Sequence, residues 1–385
     1  MKIGLRLSTM TVLTFFLCLA CLQPDKDEAG PGTGNTDYVF QWDKIADSSS
    51  TSLNMNFWNG AKYYNNSTSG DQFNYWPQAH ALDVLIDAYA RTQNPTYVTY
   101  MNDWFEGVKV KNGNTFINHF YDDMEWIALA MHRAYGVTGD EKWRDASVML
   151  YGDIINGWNA SMGGGIAWNK AQTDYKNTPA NAPAAILAAR LYRTTNDADY
   201  LTWAKKIYDW QKETLVNSST GLVYDGINQD GNGQVQTEPG WNFAYNQGTF
   251  IGAALELYAI THEAKYLQDA VRTADNFIID NIMSPGGIMR PGDNGDGGLF
   301  NGIGVRYLTQ LILNADLSAT KRENYVAYLQ RNAETAWLKG TDRTRVIFNN
   351  NWNNQPGGTG FLTPQLSGCM LMEAMALLED RDFLE

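Results

Sequence analysis

One pattern restricts the fold of this chain more than any other: a Tyr, a Thr three residues later, and an aromatic residue five further on. It occurs at Tyr89/Thr92/Tyr97, Tyr135/Thr138/Trp143, Tyr192/Thr195/Tyr200 and Tyr258/Thr261/Tyr266. Successive copies stand 46, 57 and 66 residues apart, too long and too uneven for a solenoid of short repeats. Each copy closes one apolar segment and opens another. The segment before the Thr is rich in small residues, such as Ala180, Ala184, Ala185, Ala188 and Ala189. The segment after it is amphipathic at helical spacing, as in Tyr266, Ala270, Val271, Ala274, Phe277 and Ile278. The Thr and the Asn, Asp or Gly behind it supply turn and N-cap chemistry. The pattern predicts helical hairpins, with small-residue helices packed closely inside and amphipathic ones outside. Inner helices are expected near 76–91, 123–137, 180–194, 245–260, 303–314 and 364–379. Outer helices are expected near 38–57, 95–106, 140–156, 197–215, 263–281 and 319–338. Six of each make an all-α chain folded as a single (α/α)6 barrel.

The connections are unequal. Inner-to-outer turns are short, whereas the outer-to-inner loops 107–122, 157–179, 216–244, 282–302 and 339–363 are long. They carry Gly163-Gly164-Gly165, Trp168, Trp241, Phe300 and Trp352. Long loops on a rigid scaffold are where function sits. All five return to the N-terminal ends of inner helices, so one mouth of the barrel is the expected site.

Composition narrows the ligand. The formal charge is −13 over 385 residues with no Lys/Arg run, which disfavours nucleic acid and polyanionic substrates. With 13 Trp and 21 Tyr beside 35 Gly, aromatic rings on Gly-rich loops suit the flat faces of a neutral sugar. Residues 1–20 read as an export signal, with Lys2 and Arg6 before the short apolar run Met10 to Ala20. Cys18-Leu19-Ala20-Cys21 resembles a bacterial lipobox and makes Cys21 the expected lipidation site. Residues 21–37 read as a flexible tether and 38–385 as the barrel. With Cys18 removed and Cys21 acylated, only Cys369 remains, so no intrachain disulfide is expected. Asp25-Lys26-Asp27-Glu28 resembles acidic export signals of surface lipoproteins, favouring the outer-membrane surface of a Gram-negative bacterium over the periplasm.

The sharpest chemical feature is Phe120-Tyr121-Asp122-Asp123-Met124-Glu125-Trp126, where a long loop enters an inner helix. Paired carboxyls are what glycoside hydrolysis requires, and close together they raise one another's proton affinity. The dipeptide alone also fits a helix N-cap with acidic first-turn neighbours. Neighbouring Asp side chains are expected to converge if their backbone is non-helical and to diverge on a regular helix. Asn228-Gln229-Asp230-Gly231-Asn232-Gly233 resembles half a calcium loop, but Pro239 stands where the bidentate Glu would be needed, so it reads as a polar turn. Asp293 to Gly298 reads as another turn. His80, His119, His132 and His262 show no metal spacing, and no cofactor or metal is expected.

The Tyr-Asp-Asp-Met-Glu-Trp setting of Asp122-Asp123 resembles the catalytic pair of glycoside hydrolase family 76, which contains bacterial endo-α-1,6-mannanases. The resemblance continues, in family order, through Gly163 to Trp168, Lys176 to Ala184, Phe243 to Gly248 and Gly304 to Leu308. It implies the (α/α)6 fold and a retaining double displacement on α-1,6-mannan, with Asp122 as nucleophile and Asp123 as acid/base. Trp168, Tyr245 and Arg306 are the expected sugar-binding residues, with Asn177, Thr178, Asn246 and Gln247 as hydrogen-bonding candidates. The expected partners are α-1,6-linked mannan or manno-oligosaccharides and, through the lipid anchor alone, a membrane; a monomer is expected. The alternatives are a non-catalytic glycan-binding lipoprotein and another (α/α)6 glycosidase.

Overall fold

Each Tyr–Thr–aromatic repeat is a sealed turn between two helices in the computed structural model, which describes residues 38–70 and 72–384. The Thr hydroxyl donates back to a carbonyl four residues earlier: Thr92 to Ala88 at 2.7 Å, Thr138 to Ala134 at 2.7 Å, Thr195 to Leu191 at 2.8 Å and Thr261 to Leu257 at 2.8 Å. The same oxygen accepts the N–H two residues on, from Asn94, Asp140, Asp197 and Glu263. Between them Gln93, Gly139, Asn196 and His262 take the left-handed conformation that ends a helix. Asn94, Asp140 and Asp197 then cap the next helix with their side chains. The repeat's aromatic residue falls in that helix's first turn, where Trp143 and Tyr266 are almost fully buried.

Among the described residues twelve α-helices follow in chain order: α1 Trp42–Phe57, α2 Tyr75–Thr92, α3 Pro95–Lys111, α4 Tyr121–Thr138, α5 Glu141–Ile154, α6 Ala182–Thr195, α7 Ala198–Leu215, α8 Ala244–Thr261, α9 Ala264–Ile279, α10 Gly297–Asn314, α11 Ala319–Lys339 and α12 Leu362–Asp380. The even-numbered helices form a closed inner ring in which each packs on the next and α12 returns to α2. The odd-numbered helices form the outer layer, and α1 closes the barrel by packing on α12. The fold is the expected (α/α)6 barrel. Its helical unit begins at Phe40. The signal peptide, Cys21 and the tether lie outside the described residues. Among those residues no helix is long and apolar enough to cross a membrane.

Small residues matter where inner helices nearly touch. A Cβ on Gly248 of α8 would stand 2.9 Å from the Gly304 Cα of α10. Several inner helices start earlier than the sequence suggests, α10 by the most. α4 begins at Tyr121, and α10 begins at Gly297 rather than near 303, so Phe300 lies on a helix and not in a loop.

The long loops are held down by amide side chains at the starts of inner helices. Gln78 accepts the Tyr64 N–H and donates to the Tyr64 carbonyl; Gln247 does the same to Val223, and Asn181 to Ile166. Gln365 takes the Phe348 N–H and donates to the Val346 carbonyl. Each side chain thus imitates a strand partner and satisfies loop backbone that would otherwise be buried unpaired. Two-residue strands add to this: β1 Lys176–Asn177 pairs antiparallel with β2 Gly226–Ile227, and β3 Thr341–Asp342 with β4 Ile347–Phe348.

Candidate active site

Where the long loops meet the inner helices lies a cleft of about 510 Å³. Its lining includes Asp122, Asp123 and Trp126 of α4, Trp168 and Asn177 from the loop before α6, Asp225 and Trp241 from the loop before α8, and Tyr245, Asp296 and Phe300. Both expected carboxyls and both expected aromatics therefore share one cavity. Trp352 does not: it is buried under the loop before α12, with its backbone against Gly340.

Asp122 and Asp123 are the second and third residues of α4, on helical backbone. Helical backbone is the case in which the sequence reading expects the side chains to diverge, yet both line the cleft. Successive side chains on a helix leave about 100° apart. At a helix start aimed into a cavity, however, both directions still lead into that cavity. The free first-turn N–H groups there also favour negative charge.

The two carboxyls differ in their donors. Asp122 is buried; its Oδ1 accepts the Asp123 N–H at 3.0 Å and its Oδ2 accepts Trp168 Nε1 at 3.1 Å. Burial raises the Asp122 carboxyl, those two donors pull it back down, and Asp225 pushes it up. Asp123 keeps part of its surface open to the cleft. Burial raises it, and Asp122 and Asp296 raise it further, with no donor to offset them. One proton shared by such a pair belongs on Asp123, which leaves Asp122 anionic. That is the division of labour an acid and a nucleophile require.

Around the pair, Trp168 packs against Phe120 and Tyr175, with ring centroids 5.1 and 5.8 Å away. On the facing wall Tyr245 stacks on Phe300 at 4.0 Å. Replacing Trp168 by Phe keeps a ring but removes the donor to Asp122. A hydrogen bond to a charged group contributes about 1.5–3 kcal/mol, so a loss of roughly 10- to 100-fold in kcat/KM is expected. The acidic limb of the pH profile should move upward at the same time. An unchanged limb would show that the Trp168 N–H does not act on Asp122.

Of the lining residues that the sequence does not single out, Asp225, Asp296 and Trp76 make the hydrogen bonds that tie the cleft together. Asp225 accepts from Tyr245 Oη at 2.7 Å, Asn246 Nδ2 at 3.0 Å and Tyr175 Oη at 3.2 Å, joining α8 to the loop before α6. Trp76 Nε1 donates to Asp296 Oδ1 at 2.7 Å, linking the starts of α2 and α10. Asp225 sits in an aperiodic loop, which gives no signal. Asp296 falls in the Asp293 to Gly298 stretch that reads as a turn, and Trp76 at the start of the first expected inner helix.

The remaining expected residues divide. Asn177 lines the cleft and also caps the short turn at Thr178–Ala180. Thr178 donates to the Tyr224 carbonyl, Asn246 to Asp225, and Gln247 clamps Val223; all three are buried. Thr178 and Gln247 spend these groups on loop backbone and Asn246 Nδ2 on Asp225, while Asn246 Oδ1 is buried without a hydrogen-bond partner. Arg306 is the clear correction. It does not line the cleft: it pairs with Asp83 and Asp87 and lines a second cavity between the C-terminal halves of α2, α10 and α12. Among the described residues no group of three or more His, Cys, Asp or Glu is placed to hold a metal ion.

Comparisons with known proteins agree with the fold. The family model described as glycosyl hydrolase family 76 matches residues 41–384. An α-1,6-mannanase of Salegentibacter sp. HEL1_6 superposes with a TM-score of 0.85 at 40% identity, covering 88% of this chain and 100% of that one. That structure is of an inactive variant, with two adjacent aspartates replaced by alanine, in complex with α-1,6-mannotetrose. The Lin0763 protein of Listeria innocua superposes at 0.81 with 36% identity, over 89% of this chain and 99% of its own. The mannan endo-1,6-α-mannosidase DCW1 of Saccharomyces cerevisiae is 25% identical over 336 residues, 79% of this chain and 73% of that protein.

Proposed function

The chain belongs to glycosyl hydrolase family 76, and on that premise we propose that it is an endo-acting α-1,6-mannanase that works with retention of configuration. The observation that carries the reading is the pair of adjacent carboxyls with unequal donors at the floor of an aromatic cleft. The ligand and the paired replacements in the Salegentibacter enzyme support both the substrate and the choice of residues.

In the first step the Asp122 carboxylate attacks the anomeric carbon. The glycosidic C–O bond breaks, and Asp123 passes its proton to the departing oxygen. In the second, Asp123 removes a proton from water, which displaces Asp122 from the anomeric carbon and restores both groups. Retention requires the two carboxyls about 5–5.5 Å apart, so that no water fits between nucleophile and sugar in the first step. Trp168 steadies the Asp122 anion, and the stacked Tyr245 and Phe300 offer a flat apolar face to a sugar ring.

Endo action is tested by following unbranched α-1,6-mannan by size. A ladder of oligosaccharides early in the reaction is the expected result. Release of a single small product from the start would instead indicate attack from a chain end.

A further inference from the structure

Glu125 belongs to the same helical turn as the aspartates, yet the double displacement gives it nothing to do. Its side chain is fully buried, and neither oxygen meets hydrogen-bond geometry with any donor. An ionised carboxylate in that setting would cost several kcal/mol. Two neighbours define what it could do. Asp122 lies three residues earlier on α4, where helical side chains are adjacent, and a helical side chain leans back toward the N-terminus, hence toward Asp122. On the other side, the Ala184 N–H in the first turn of α6 has no acceptor within its own helix; it faces Glu125 without closing a hydrogen bond.

A neutral carboxyl has one donor and one acceptor to offer, which matches this pair of neighbours. Taking the mannanase reading above as the frame, we propose that Glu125 is held as the neutral acid and positions the nucleophile, giving its O–H to Asp122 and accepting the Ala184 N–H. It is a positioning residue, since the sugar never touches it. Burial raises the Glu125 carboxyl well above its ordinary range, and the nearby Asp122 raises it further. The ionisable groups acting on Asp122 are then Asp123 and Glu125 from its own helix and Asp225 from the loop before α8. The Tyr175 and Tyr245 phenols lie nearby and are both raised, first by burial and then by Asp225, with Asp122 adding to the rise.

Glu125→Gln and Glu125→Leu separate this role from packing. Gln keeps one donor and one acceptor in the same volume, whereas Leu keeps only the volume. In pH profiles of kcat/KM on an α-1,6-manno-oligosaccharide, Glu125→Gln should leave the acidic limb in place and lose less than about tenfold. Glu125→Leu should move that limb up by about one unit, because the Asp122 anion loses a donor. A downward shift of about a unit in Glu125→Gln would mean that Glu125 is normally charged, and would overturn the proposal. An unmoved limb in Glu125→Leu would reduce Glu125 to a spacer and overturn it as well. Infrared difference spectra need no turnover and decide the matter even where Glu125→Leu fails to fold. Wild type minus Glu125→Gln at neutral pH should show the C=O band of a protonated carboxylic acid, and its absence would refute the neutral state. Inactivity of the wild type on mannan would sink the mannanase reading while leaving the infrared result to judge Glu125.

Discussion

Replacing Asp122 or Asp123 with alanine is expected to slow mannan cleavage by on the order of 10⁴-fold or more with the barrel intact, as removal of a nucleophile or its proton partner does elsewhere. The two variants should differ on an aryl mannoside whose leaving group needs no proton. The Asp123 variant should still release a burst of aryl alcohol and then stall, because the first step then needs no acid while the second still needs Asp123 as the base that activates water. The Asp122 variant should release none. Stability should move the other way from activity. Both carboxyls are raised in the folded state, chiefly by burial, so the folded chain binds protons more tightly than the unfolded one. Their contribution is then fully present below the ordinary Asp range of about 4 and is lost as pH rises through the folded values. Asparagine at either position removes that loss. The Asp122→Asn and Asp123→Asn proteins should therefore melt at or above the wild-type temperature at neutral pH. Wild-type turnover by any of these variants would end the assignment.

Arg306→Leu is expected to do the reverse: large damage to stability and almost none to substrate affinity. Arg306 is nearly buried and, with Arg133, holds Asp83 and Asp87. Burial alone would raise the Asp83 carboxyl, but the two guanidiniums outweigh it and keep it far below its ordinary range. Removing one partner from a buried ion-pair network leaves charge uncompensated, which costs about 3 kcal/mol. Denaturant unfolding should show that loss, while KM for manno-oligosaccharides stays within about twofold, the ordinary scatter for a residue outside the site. A rise in KM of tenfold or more with stability unchanged would return Arg306 to the cleft.

The same residue shows how far the sequence could be read. A helix starting near 303 would put Arg306 in its first turn, at the mouth. The helix starts at Gly297, so Arg306 sits six residues deeper, about 9 Å at 1.5 Å per residue. The early turns were illegible because Gly297, Gly298 and Gly302 are poor helix formers. Gly298 and Gly302 are glycines because α12 leaves no room: a Cβ on Gly302 would lie 2.8 Å from the Ser367 Cα, and one on Gly298 would lie 2.8 Å from the Thr363 hydroxyl. By contrast the four hairpin turns were legible because each is closed by local chemistry within a few residues, one Thr oxygen bonding on both sides. The Asp122–Asp123 pair was legible as an adjacency. What separates its members, the Trp168 donor and the Asp225 and Asp296 charges, comes from residues 46 to 174 positions away that only the folded barrel assembles. Gln247 shows a further limit. A glutamine at a mouth reads as a sugar ligand, whereas both ends of its amide are already taken by loop backbone.

The central claim is that Asp122 bonds to the anomeric carbon while Asp123 handles the proton. It is tested most directly by proton NMR of an α-1,6-manno-oligosaccharide during the first moments of cleavage. Two displacements at one carbon restore its configuration, so the new reducing end should appear first as the α-anomer and only later equilibrate with the β-anomer. First appearance of the β-anomer would mean a single displacement by water and would contradict the nucleophilic role of Asp122.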